Sequence, residues 1–143
     1  MTSDIPHHLH EGSWLYVSAR VGPLDSVLAV CRQHDWPVIV GSEELPARRR
    51  AQALRLADAC IVEASISSPH AEDELLLAIQ QRRPVVALRA SGATGGSALS
   101  TRSDDVQELT YHDNEECARA LDLLLANPDW QRRVALAAPT EHG

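Results

Sequence analysis

The chain has 143 residues, the size of one domain, and 44% of them are hydrophobic, enough to bury a core. Phe is absent and aromatics make up only 3%, so Leu, Val, Ile and Ala must fill that core. A net charge of −7 argues against a basic nucleic-acid face, and the lack of any Lys excludes a lysine Schiff base and a P-loop lysine.

Residues 1–12 carry His7, His8 and His10 among polar neighbours and read as a mobile lead-in. Trp14 to Ser18 is the first expected strand, followed by the loop Ala19-Arg20-Val21-Gly22. A helix follows over 23–34. Pro23 suits its first turn, and Leu24, Val27, Leu28 and Cys31 recur at helical spacing. Pro37 to Val40 is the second strand, and Gly41 to Pro46 the loop after it.

The second helix is expected over 47–57, with Leu54 and Ala57 inward and Arg48, Arg49, Arg50 and Arg55 largely in water. Ala59 to Ala64 is a nearly unbroken apolar run, as a strand covered on both faces requires. A third helix over 71–81 and a strand over 84–88 come next. The Gly- and Ser-rich stretch 91–97 is a loop. Val106 to Tyr111 forms the fifth strand. Asp113 or Asn114 caps a fourth helix that runs to Ala126, and Asn127-Pro128 stops it. Asp129 is expected to cap a last helix over 130–137, and 138–143 is a loose tail.

Alternating strands and helices predict a doubly wound α/β domain over 13–137. Its five parallel strands lie between two helix layers with right-handed crossovers, in a flavodoxin-like or Rossmann-like arrangement. Cys31, Cys60 and Cys117 have neither CxxC nor zinc spacing and read as reduced, buried small side chains. No apolar run approaches the roughly 20 residues of a membrane span, so the expectation is a cytoplasmic protein without membrane partners.

Parallel strands bring the loops 18–22, 41–46 and 65–73 to one rim, where open α/β sheets bind ligands. Ser18, Arg20 and Gly22 make an anion cradle at the start of the first helix. Ser65, Ser67 and Ser68 precede the third helix, whose N-terminus favours a phosphate. The competing reading is that Ser67 or Ser68 caps that helix while Glu72 and Asp73 complement its dipole. Glu74 stands before Leu75, Leu76 and Leu77, and a carboxylate with apolar neighbours loses hydration and becomes a candidate nucleophile or base. A solvated glutamate on an acidic first turn is the alternative. The cluster His70 to Glu74 lacks the spacing of metal ligands on one helix face, so no metal and no cofactor is expected.

Asp58, Glu63, Ser65, Ser68, Glu74, Leu75, Ala78, Pro84, Val85 and Leu88 together resemble the nucleoside 2-deoxyribosyltransferase superfamily. The likeness is nearest to the branch that hydrolyses the N-glycosidic bond of nucleoside 5′-monophosphates. It is specific over 57–88 and loose over the rest of 14–111. It implies an enzyme acting on a nucleotide or nucleoside, usually a homodimer, with Glu74 as nucleophile. Tyr16 matches the family's first-strand tyrosine. Ser18 and Arg20 resemble its phosphate loop with a one-residue gap. Ser68 stands where the hydrolases bind phosphate, and Ser100 resembles a serine that reaches the neighbouring subunit's phosphate site.

Some positions depart from that pattern. His70 and Glu72 stand where the family has glycines that let backbone approach the ligand. Arg50 occupies the place of an aspartate that assists proton transfer to the leaving base; Glu43 or Glu44 offers a substitute acid. These departures keep a second reading open: a nucleotide-binding or regulatory module without turnover.

Overall fold

The computed structural model describes residues 14–19, 21–42, 46–65, 69–92 and 106–137, with backbone alone for 69–72 and 137. Within them the elements are β1 (Leu15–Ser18), α1 (Leu24–Gln33), β2 (Val38–Gly41), α2 (Ala47–Leu56), β3 (Ala59–Glu63), α3 (Pro69–Gln80), β4 (Val85–Ala90), β5 (Val106–Tyr111), α4 (Asn114–Leu125) and α5 (Pro128–Ala137). The lead-in, Arg20, Glu43, Glu44, Ser67, Ser68, most of the 91–97 loop, Ser100 and the tail lie outside the described residues.

All strand pairs are parallel, and the sheet order is β2-β1-β3-β4-β5. The chain steps from β1 outward to β2, then returns past β1 to β3. That reversal leaves a crevice at the carboxyl ends of β1 and β3, the switch point where doubly wound sheets take ligands.

Period-two alternation divides the core. Leu15, Val17, Ala59, Ile61, Val86 and Leu88 pack under α1, α4 and α5. Tyr16, Cys60, Val62, Val85 and Ala87 pack under α2 and α3 through Leu54, Leu75 and Ala78. Both helix layers are therefore present, and the strands read as apolar runs because each is covered twice. Leu121 is fully buried, and its truncation to Ala would cost about 2–5 kcal/mol.

Several boundaries differ from the sequence expectation. β1 omits Trp14, whose indole instead donates Nε1–H to the carbonyl of Ala53 on α2 (3.0 Å). β2 takes in Gly41 because Gly41 pairs with Ser18 of β1. β4 runs on to Ala90, since Arg89 and Ala90 pair with Thr110 and Tyr111. α3 begins at Pro69, two residues early, with proline at the first helical position, where its missing N–H costs nothing.

Asp113 caps α4, its carboxylate accepting from the Glu116 N–H at 2.8 Å. The cap of α5 is Asn127, not Asp129. Asn127 Oδ1 accepts from the N–H groups of Asp129 (2.8 Å) and Trp130 (3.3 Å), and Pro128 takes the first helical position. All three cysteines are free and buried, and burial pushes the Cys31 and Cys60 thiols up to about 12. Among the described residues no helix is long and apolar enough to cross a membrane.

Candidate functional site

Tyr16 and Glu74 meet. The Tyr16 hydroxyl donates to Glu74 Oε2 at 2.5 Å, across 58 residues of sequence. Tyr16 lies mid-strand on the face that α3 covers, and its side chain is almost fully buried. Glu74 stands in the second turn of α3, not the first, because the helix starts at Pro69. It is partly buried, while its neighbour Leu75 enters the core and Asp73 faces solvent. Burial, then the charge and hydrogen bond of Glu74, hold the phenol well above its ordinary range, and Arg50 opposes them. Tyr16 therefore remains a donor, and a donor so placed orients one carboxylate oxygen.

Gly41 makes room for this pair. A Cβ at Gly41 would fall 1.8 Å from the Tyr16 hydroxyl oxygen and 2.3 Å from Cζ. The next residue, Ser42, offers its carbonyl to Arg50 Nη1 at 3.1 Å. Arg50 thus does not point into water with its neighbours Arg48 and Arg49. It folds back from α2 onto the strand ends and is half-buried.

Ser18, the last residue of β1, is fully buried and shares the Tyr16 face by alternation. Gly22 is exposed, but its N–H already donates to Glu63 Oε1 at 3.0 Å. Its amide is therefore committed to a protein carboxylate, and an anion in the β1–α1 loop would have to rely on other donors. Arg20, Ser68 and Ser100 lie outside the described residues; among those described, Gly41, Ser42, Arg50 and Cys60 neighbour the Tyr16–Glu74 pair, with Ser18 two residues beyond Tyr16 on the same strand face. Among the described residues no three His, Cys, Asp or Glu side chains converge as metal ligands would.

A second carboxylate went unmarked as a separate feature of the sequence. Glu63 ends β3 on the opposite sheet face and is only 4% exposed. Besides Gly22, it accepts from the Ser65 N–H (3.3 Å) and from the Tyr111 hydroxyl at both oxygens (3.3 Å each). Ser65 Oγ in turn accepts from the Ala90 N–H at 2.5 Å. Burial, then the Glu63 charge and hydrogen bond, raise the Tyr111 phenol to about 12. Glu63 thereby ties together the ends of β3 and β5 and the loop after β1. Its only signal in sequence is a lone acid closing an apolar strand, which buried carboxylates require to be well partnered.

No family model and no curated protein sequence matches the chain. Among solved structures, the chain is similar to the CMP N-glycosidase BcmB of Clostridium botulinum, with a TM-score of 0.61 and 15% identity over 76% of this chain and 98% of that one. At that identity the likeness is one of fold alone.

Proposed function

We propose that the protein cleaves the N-glycosidic bond of nucleoside 5′-monophosphates, as a hydrolase or a related transferase. The observation that carries this reading is the hydrogen bond from Tyr16 to Glu74, beside the strand ends where sheets of this kind take ligands. The fold shared with a CMP N-glycosidase supports it.

Glu74 Oε attacks the anomeric C1′ as the bond to the base nitrogen breaks, giving a glycosyl ester. Water then attacks C1′ and frees Glu74. Tyr16 holds the carboxylate toward the sugar. Ser18, Arg20 and Ser68 bind the phosphate, with the N-terminus of α3 adding its dipole. Ser100 of the partner subunit completes that site in a homodimer. No cofactor enters the scheme.

The test is incubation with ribo- and deoxyribonucleoside monophosphates, with free base followed by chromatography. Base release that Glu74→Ala abolishes is the expected result. Nucleotide binding by calorimetry without release would instead assign the second reading, a binding module. The Arg50 guanidinium, standing where the resembled family keeps an acid, favours that alternative.

A further inference from the structure

We infer that Glu63 is a positioning residue for the ligand: one buried carboxylate holds the loop after β1 and the exit from β3 together, and so sets the width of the crevice that takes the phosphate of a nucleotide. This rests on the nucleotide reading above and gives that site a second acid, one that acts through the loops and not on the substrate.

The contacts run from one wall of the crevice to the other. β1 leads to α1 on one face of the sheet and β3 leads to α3 on the other, so their loops part at the switch point. Glu63, the last residue of β3, stands where they part. Its Oε1 accepts from the Gly22 N–H at 3.0 Å, in the loop after β1. Its Oε2 accepts from the Ser65 N–H at 3.3 Å, just past the end of β3. The β1 loop is turned back on itself, with the Val21 N–H on the Ser18 carbonyl at 3.2 Å, so a shift of Gly22 carries to the end of β1. Ser65 is held a second time, its Oγ accepting from the Ala90 N–H of β4. A Cβ on Gly22 would stand 3.1 Å from the Tyr111 hydroxyl, so the loop backbone rests on the cluster itself.

The two oxygens of a carboxylate are rigidly joined. Amides bound to each are fixed relative to one another, and so are the loops that carry them. The proposed phosphate site draws on both loops, and it weakens when they drift apart, since a displacement of about 1 Å can cost on the order of 100-fold. Glutamine has the same shape but one acceptor oxygen and an NH2 group. It can satisfy Gly22 or Ser65, and it turns a donor on the other. Tyr111→Phe does the reverse: it removes the tie to β5 and leaves both loop amides bound. A nucleoside without its phosphate does not use the phosphate site, so it does not feel the change.

The experiment compares CMP with cytidine, and dCMP with deoxycytidine, in the wild-type protein, Glu63→Gln and Tyr111→Phe. It reads kcat/KM for base release or, where no base is released, Kd by calorimetry. Partial unfolding scales both members of a pair alike, so the nucleotide-to-nucleoside ratio reports positioning and not stability. Glu63→Gln should lower that ratio about tenfold or more, through KM with kcat nearly unchanged, and Tyr111→Phe should leave it within about twofold. An unchanged ratio in Glu63→Gln, an equal drop in Tyr111→Phe, or no preference for nucleotides in the wild type would overturn the inference, while base release keeps the glycosidase standing. A measurement on the wild type alone decides the matter if the variants do not fold. The Gly22 and Ser65 amide resonances should shift on adding CMP and stay in place on adding cytidine; amides that ignore CMP, or move as much with cytidine, would overturn the inference. Base release from no substrate removes the glycosidase reading, and the Kd ratio then decides this inference; no binding of any of the four would remove both.

Discussion

Gly41 lies against the Tyr16 phenol, closer than any side chain would allow. A methyl group there would overlap the hydroxyl oxygen and Cζ and approach Cε2 to 2.8 Å. The ring is buried in the cluster that β3 forms with α2 and α3, so it has little room to retreat.

Gly41→Ala should therefore force the phenol away from Glu74. The overpacking is expected to cost about 1–3 kcal/mol in urea unfolding and to abolish base release. A stable, fully active Gly41→Ala protein would show that the Tyr16 position is not needed.

Tyr16→Phe separates packing from hydrogen bonding. The ring and its burial remain, while the donation to Glu74 is lost. Stability should change by no more than about 1.5 kcal/mol, and base release should fall about 10- to 100-fold through kcat. Unchanged kcat would leave Tyr16 a core residue and no more.

Glu63 ties the loop after β1 to the ends of β3 and β5, so removing it should be felt in folding. Glu63→Leu orphans the Gly22 N–H and the Tyr111 hydroxyl; the buried hydroxyl costs about 1–3 kcal/mol, and the amide of exposed Gly22, which water can reach, costs less. Tyr111→Phe removes one donor and leaves the backbone contacts, with a smaller loss of about 0.5–1.5 kcal/mol. Equal and negligible losses in urea titrations would mean that the cluster contributes nothing to stability.

Alkaline pH should destabilise the fold. Burial raises the Cys60 thiol from 9.0 to about 12, and burial with Glu63 raises Tyr111 from 10.0 to about 12. The unfolded chain releases these protons at lower pH than the folded one, so the folded state binds more protons and stability falls with pH. The thiol contribution is intact below about pH 9 and the phenol contribution below about pH 10; both are lost toward pH 12. Urea midpoints in reducing buffer should hold up to about pH 9 and then decline, less steeply for Tyr111→Phe. A flat profile to pH 11 would contradict this.

Capping at α5 offers a clean comparison. Asn127→Ala should cost about 0.5–2 kcal/mol, because two helix N–H groups lose their acceptor. Asp129→Ala removes only an exposed charge near Arg132 (3.4 Å) and should stay within about 0.5 kcal/mol. The reverse ranking would restore Asp129 as the cap.

The sheet was legible because its strands carry their own signature: apolar runs bounded by Pro, Gly and charge, at helix-length intervals. The boundaries that shifted were decided by partners instead. Ala90 belongs to β4 only because Tyr111 lies beside it, and Gly41 belongs to β2 because of Ser18. Tyr16 and Glu74 were paired through a family resemblance, since no local pattern links residues 58 apart. Arg50 looked like one of a solvated arginine run, but the Ser42 carbonyl, eight residues back, holds it inward. Glu63 was hidden for the same reason: its donors Gly22 and Tyr111 lie 41 and 48 residues away.

Two phenol–carboxylate couples thus flank a single sheet, Tyr16–Glu74 on the α2 and α3 face and Tyr111–Glu63 on the α1 and α4 face. The peptide layer between them acts as a partition. Each face thus has an acid of its own, so a redesigner is free to alter the couple on one side without loosening the clasp on the other, and paired substitutions across the partition should combine additively.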